Sequence, residues 1–491
     1  MMKVSKITLF FIVRNWIFCG SFLSVLLFAT LTGCLPLADT GKKFTSPLAE
    51  IGQTGDNTAR LSCFLNITNA QGPAIRLDLA DIEVFGDDRR ISLNKGPLKI
   101  DSTAIGTGQL FLGSVPALPG RYSRMRLTVT TGEIQAANGK YETIISKPLL
   151  VDVKLASDLN LEPEDSRSLL LTWHVQDSLQ ADNTLNPVLT AALPLRQMLL
   201  DLVFVSCPDI DTIFVVRTDK NWVVDSFGLK GGPTYMAIAP HAGNRLYVLA
   251  ARDKTVKVID LSTFRVVDFF PVPLNDVPTF MTISPDGQSA FLIDERSGYM
   301  SRMDLTSGRN ASRVFLGYRP KFALYLDEQH QLAVSLSLSQ KVLLLDPLSL
   351  MVMATVSTGS SPEGLISLNN QLFIAEYGDN SVSVADLTKR GNLSRLTVGF
   401  GPRRLLETGN QIYVSNYQDG SLSVLTPGQL GVTQEIFGLG RPLEMSYDQF
   451  YRRLYVADQE TASLAAIDVT TNLIMGHIAL GAKPFGLALI Q

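Results

Sequence analysis

Short apolar runs separated by turn residues recur at a fixed interval through the C-terminal part of the chain. Each interval holds a Gly-containing run, a proline and then an apolar strand. The prolines are Pro233, Pro278, Pro320, Pro362, Pro402, Pro442 and Pro484, spaced 45, 42, 42, 40, 40 and 42 residues apart. Strands such as residues 342–345 are apolar on both faces, which a sheet packed between two neighbours requires. Several short strands repeated at this period predict a β-propeller. The first repeat begins with a second strand, residues 202–205, and the last is followed by an apolar run, residues 485–490, with the character of an inner strand. If that run completes the first blade, both open edges vanish and the ring has seven blades.

Residues 58–196 follow a different rule, alternating with period two. Met125, Leu127 and Val129 fall on one face of a strand, and Tyr122, Arg124, Arg126 and Thr128 on the other. Further strands are predicted at residues 59–68, 75–85, 109–112, 142–155 and 168–175, followed by a linker from 180 to about 196. The spacing fits a small β-sandwich, so the expected class is all-β, a β-sandwich followed by a seven-bladed β-propeller over residues 197–491.

Before these lie Lys3, Lys6 and Arg14, an uncharged run over residues 16–38, and within it Leu31-Thr32-Gly33-Cys34. That tetrapeptide resembles the lipobox of bacterial lipoproteins. The resemblance implies a signal peptide over residues 1–33 and acylation of Cys34, with palmitate among the chains. The bilayer would then be a partner, because several acyl chains on one residue anchor stably. A plain membrane-spanning anchor is the alternative for so long an uncharged run. Residues 34–57, rich in Gly, Thr, Pro and charge, read as a tether. The expected location is the cell envelope, with Leu35 after the cysteine leaning towards the outer membrane, facing the periplasm or the cell surface.

Two further resemblances follow from the motifs. Leu118-Pro119-Gly120-Arg121-Tyr122, leading into the 124–129 strand, and the stretch from Leu161-Glu162-Pro163 to Ser178 resemble domain of unknown function 4382 of bacterial lipoproteins. No activity comes with it. Tyr247-Val248, Phe373-Ile374, Tyr413-Val414-Ser415-Asn416 and Tyr455-Val456-Ala457-Asp458 resemble the YVTN family of propeller repeats. The hairpins at Asp379-Asn380 and Asp419-Gly420 share that resemblance, and these pairs supply the left-handed turn a tight hairpin needs. Blades three and four lack such turn residues.

Composition narrows the chemistry. The 491 residues are 46% apolar and 18% charged, which describes a core-forming chain of two domains or more. A net charge of −3, with basic residues scattered, offers no field for nucleic acid. Cys63 and Cys207 remain outside the signal region; a buried thiol is the simple reading of Cys63, and a bridge between them the sharper one. Only four histidines exist, His174, His241, His330 and His477, and neither Cys-x-x-Cys-His nor His-Glu-x-x-His occurs. Gly399-Phe400-Gly401 and Gly438-Leu439-Gly440 run into the blade prolines and read as repeat geometry. No cofactor and no metal is named by the sequence.

What remains is the mouth of the ring. Tyr235, Phe280, Lys321, Phe322, Glu363, Arg403, Arg404, Glu444 and Phe485 follow the prolines directly, with charge in four successive repeats and aromatic residues in the others. One arc is therefore charged and the other aromatic, an arrangement able to hold a protein, peptide or carbohydrate ligand; Tyr235, Lys321, Glu363, Arg403, Arg404 and Glu444 are the candidate binding residues. As rim residues, Arg403 and Arg404 are expected to tolerate alanine within about 0.5 kcal/mol of stability. The face of Tyr122, Arg124 and Arg126 is a second candidate. The expected function is an envelope-anchored binding or scaffolding module. The alternatives are a hydrolase resembling the propeller lactonases, for which Glu363 with Arg403 is the nearest pair, and a docking subunit of an envelope complex.

Overall fold

The computed structural model describes residues 58–68, 72–94, 96–180, 184–194, 200–239, 244–272, 277–388, 393–429 and 431–490. Cys34, the signal peptide and the tether lie outside the described residues. Among the described residues no helix is long and apolar enough to cross a membrane.

Seven four-stranded sheets follow one another from residue 202. Blade 2 runs Pro233–Ile238, Arg245–Ala250, Thr255–Asp260 and Arg265–Pro271, and blades 3 to 7 repeat this order. The first strands of adjacent blades touch, which makes them the inner wall. Blade 1 has Leu202–Cys207, Thr212–Arg217 and Trp222–Gly228, and its inner strand is the C-terminal Leu487–Ile490. Leu202 pairs with Ile490 and Val205 with Leu487, antiparallel, so the ring closes as its missing strands predict.

Blades 3, 5 and 7 are each pinned by a buried carboxylate at the end of the second strand. Buried Asp458 accepts the N–H groups of Gly440 and Arg441, both at 2.8 Å. Buried Asp294 does the same for Arg296 and Ser297 at 3.0 Å, and Glu376 for Gly359 at 2.6 Å. A buried carboxylate that collects backbone donors is satisfied and rigid. The left-handed turn residue is Asn380 in blade 5 and Gly420 in blade 6, as the hairpin motifs require. Blades 3 and 4 obtain the same turn from Gly298 and Gln340, which removes the ambiguity their sequences left.

The first domain is all-β, but it is not two separate sheets. Ten strands form one sheet; eight of them make a single hydrogen-bonded path with Arg90–Ser92 at one end and Gln109–Ala117 at the other, and two more pair alongside it. The two ends nearly meet, since a Cβ on Gly113 would strike the Leu93 carbonyl. The join is Leu189–Ala192, which pairs with Ser166–His174 on one side and, through Ala191 and Leu155, with Leu149–Leu161 on the other. Those four residues belong to the expected linker; a run so short carries no periodicity to announce a strand. Met125, Leu127 and Val129 are buried as predicted, but Tyr122 is buried with them. The register shifts between Tyr122 and Arg124, turning Tyr122 inward, where its hydroxyl donates to the Leu118 carbonyl at 2.7 Å. The proposed polar face thus keeps Arg124 and Arg126, the latter paired with Asp152 at 2.7 Å, and loses its tyrosine.

The strand Ala59–Thr68 is buried on both faces because it serves two cores. Cys63 faces the first domain's core, while Phe64 joins Phe111 in a core shared with Phe214 of blade 1. Polar contacts lock the same surface. Gln109 Nε2 donates to the Val223 carbonyl at 3.0 Å, and the Val223 N–H donates to Gln109 Oε1 at 2.8 Å. Cys63 and Cys207 are both buried and unbridged.

Candidate functional site

The inner strands bring one side chain from every blade to the axis. Tyr235, Phe280, Phe322 and Phe485 come from blades 2, 3, 4 and 1, and their rings form a chain. Tyr235 lies 4.5 Å from Phe280 and 5.2 Å from Phe485, and Phe280 lies 4.5 Å from Phe322, centroid to centroid. Blades 5, 6 and 7 contribute Glu363, Arg404 and Glu444. Arg404 Nε donates to Glu444 Oε1, its Nη1 lies 3.5 Å from Glu363, and its Nη2 donates to the Tyr235 hydroxyl at 2.5 Å. The last bond joins blade 6 to blade 2 across the ring. The guanidinium also stands 5.1 Å from the Phe322 ring centroid.

The charged arc and the aromatic arc therefore exist, but they close on each other. Arg404, Glu363 and Tyr235 are each 7% exposed, so Arg404 is a core cation and not the rim residue expected from its place after the proline. Burial opposes the Arg404 charge, yet Tyr235, Glu444 and Glu363 outweigh it and hold the cation firmly protonated. Burial likewise raises the Tyr235 hydroxyl well above its ordinary value, against the pull of Arg404. Close packing at the axis depends on Gly364, where a Cβ would come within 2.5 Å of the Arg403 carbonyl.

Alternation sends Arg403 the other way from Arg404. Its guanidinium lies over Tyr417, with Cζ 3.9 Å from the ring centroid and 5.2 Å from that of Tyr377. The nearest carboxylate oxygen is Glu363 Oε2 at 3.8 Å, and the buried Arg403 Nε has no hydrogen-bond partner among the described residues. Gln418 Nε2 donates to the Tyr377 hydroxyl at 2.6 Å, and the Tyr417 hydroxyl donates to Gln459 Oε1 at 3.0 Å. Lys321 sits apart, bound to Glu295 at 2.9 Å beside Arg319. Burial resists ionisation of Glu295, but hydrogen bonds from Lys321 and Arg319 prevail and keep its carboxyl below the ordinary value.

No family model matches the chain, and no curated protein matches it. Neither the resemblance to domain of unknown function 4382 nor that to the YVTN repeats gains support there. Solved structures do match. A functionally unknown protein from Desulfotomaculum acetoxidans DSM 771 is 15% identical, with a TM-score of 0.53 over 59% of this chain and 99% of that one. Kuenenia stuttgartiensis hydrazine synthase is 16% identical, with a TM-score of 0.49 over 55% of this chain and 92% of that one. Dihydro-heme d1 dehydrogenase NirN in complex with DHE is 12% identical, with a TM-score of 0.43 over 59% and 75%. At these identities the likeness concerns the fold alone.

Sequence reasoning missed a concavity of about 290 Å³ between the first domain and blades 1 and 2. Glu162, Glu164, Asp165, Arg167, Phe264 and Arg265 line it. Arg167 pairs with Asp165 at 2.7 Å and Lys230 with Glu164 at 2.8 Å, so its charges are largely spent internally. No linear signal announces this groove, because docking of the two domains creates it. Among the described residues no three His, Cys, Asp or Glu side chains gather as a metal site would require.

Proposed function

We propose that the protein is an envelope lipoprotein, held by acylated Cys34, whose propeller acts as a binding or scaffolding module at its mouth. The lipobox and the tether behind it support the anchor. The observation that carries the binding reading is the contrast between two adjacent arginines. Arg404 spends its donors inside the axial plug, whereas Arg403 lies over aromatic faces with its buried Nε unpartnered and 28% of its side-chain surface open. A ring of blades needs the first for packing and does not need the second. The hydrolase alternative asks for an accessible acid or base, and Glu363, the nearest carboxylate, is buried against two arginines. A docking role draws support from the outer edge of blade 4, where Leu348, Met351 and Met353 are exposed together.

Anchoring is tested at Cys34. Cys34→Ser is expected to abolish metabolic labelling with palmitate and to leave an unprocessed precursor. Labelling that persists with cleavage at the same place overturns the lipoprotein reading. Extraction of the native protein in detergent then separates the two roles: a docking subunit is recovered with stoichiometric partners, a ligand-binding module without them.

A further inference from the structure

We propose that the arc of the mouth around Arg403 binds a carboxylated saccharide; the proposal rests on the mouth-binding reading and names its ligand class. The first argument is the state of the guanidinium. A planar, permanently charged fork over Tyr417 is oriented by its aromatic neighbours without a hydrogen-bonded carboxylate, and such a fork matches a carboxylate with two parallel hydrogen bonds. Glu363 is close but shared. Its Oε2 lies 3.8 Å from Arg403 and 3.5 Å from Arg404, beyond hydrogen-bond reach of Arg403, so the fork has no strong acceptor of its own. Arg403 retains 28% of its side-chain surface, enough for a ligand to reach it.

The second argument is the wall around it. The Tyr417 and Gln418 N–H groups donate to the carbonyls of Gly401 and Phe400 at 2.9 and 3.1 Å, which clamps this turn beside the two tyrosines. Phe400 projects from the turn with 61% of its surface exposed, an apolar platform of the kind that packs against the C–H face of a pyranose ring. The Tyr377 hydroxyl accepts from Gln418 and so keeps its own proton for a ligand oxygen. Gln459 is fixed from both ends, accepting from Tyr417 and donating to the Pro484 carbonyl at 3.2 Å. Rigid aromatic faces with a few oriented polar groups suit a sugar ring. A peptide that binds by strand addition would instead need an open strand edge, and the inner strands here face one another around the axis.

The test is calorimetric titration of the full chain in detergent with three probes: trigalacturonate, the neutral galactose trimer and a tri-aspartate peptide. Trigalacturonate is expected to bind, and the neutral trimer at least about tenfold more weakly, as loss of a charge-assisted bidentate contact implies. Arg403→Lys, which keeps the charge and removes the fork, and Phe400→Ala are each expected to weaken trigalacturonate binding by about tenfold or more, with the melting temperature as the folding control. Equal binding of the neutral trimer, indifference to Arg403→Lys, or no saccharide binding overturns the proposal. Binding of tri-aspartate alone, lost in Arg403→Lys, would sink the saccharide and leave the mouth-binding reading standing.

Discussion

Two neighbouring residues with the same chemistry have opposite roles at the mouth. A strand turns successive side chains to opposite sides, so Arg404 enters the axis while Arg403 lies along the tyrosines at the rim. The consequence for stability is large. Arg404→Met removes the cation and leaves the Glu363 and Glu444 carboxylates facing a buried apolar chain, which costs about 3–5 kcal/mol when one partner of a buried pair is lost. Urea denaturation followed by tryptophan fluorescence checks this. A midpoint unchanged from the parent would mean that the plug is not held by charge. The same variant is expected to retain its rim geometry around Tyr417, because that stacking belongs to Arg403.

At the scale of the element, the strand that matters most is the C-terminal one. Leu487–Ile490 supplies four backbone pairings to blade 1, and just before it Phe485 reaches the plug while the Gly486 N–H donates to Ser206 Oγ at 2.8 Å. Neighbouring blades add to the closure: the Tyr455 hydroxyl of blade 7 donates to Asn221 of blade 1 at 2.6 Å, as Tyr413 of blade 6 does to Asn472 of blade 7 at 2.5 Å. Deleting residues 485–491 therefore bares the edge of Leu202–Cys207 and removes one aromatic from the axis. An exposed apolar edge invites pairing with another chain. The truncated protein is expected to aggregate and to be cleaved rapidly by protease within blade 1; an unchanged melting temperature would count against closure at this position.

For the whole molecule, the first domain and the propeller share a core through Phe64, Phe111 and Phe214, so the pH response of either is felt by both. Burial raises the thiol of Cys63 to about 12, and also raises the thiol of Cys207 and the hydroxyls of Tyr235, Tyr413 and Tyr455. The unfolded chain gives up these protons first, from about pH 8.5 for a thiol and about pH 10 for a phenol. The folded state holds more protons in that window, so stability is complete below it and falls as pH rises through it. Urea midpoints at pH 7, 9 and 10.5 are expected to decrease in that order. A flat profile would mean that these groups are solvated in the native protein. Both cysteines are likewise expected to resist thiol reagents at pH 8 until the chain is unfolded.

The period of the blade, the proline turn, the number of blades and the strand that closes them were all legible in the chain. Each is a local property, a matter of apolar spacing and of residues that permit a turn, repeated often enough to count. The segregation of charge from aromatic residues after the prolines was legible for the same reason. What they do there was not. The contact between Tyr235 and Arg404 joins residues 169 positions apart, and only closure of the ring sets the distance between them. The inward turn of Tyr122, the strand Leu189–Ala192 and the two-sided burial of Ala59–Thr68 also lay beyond the sequence, because each depends on a partner surface. Periodicity tells which face of a strand is apolar; the tertiary structure alone decides how many neighbours that strand must satisfy, and therefore which polar groups are consumed in packing and which are left for a ligand.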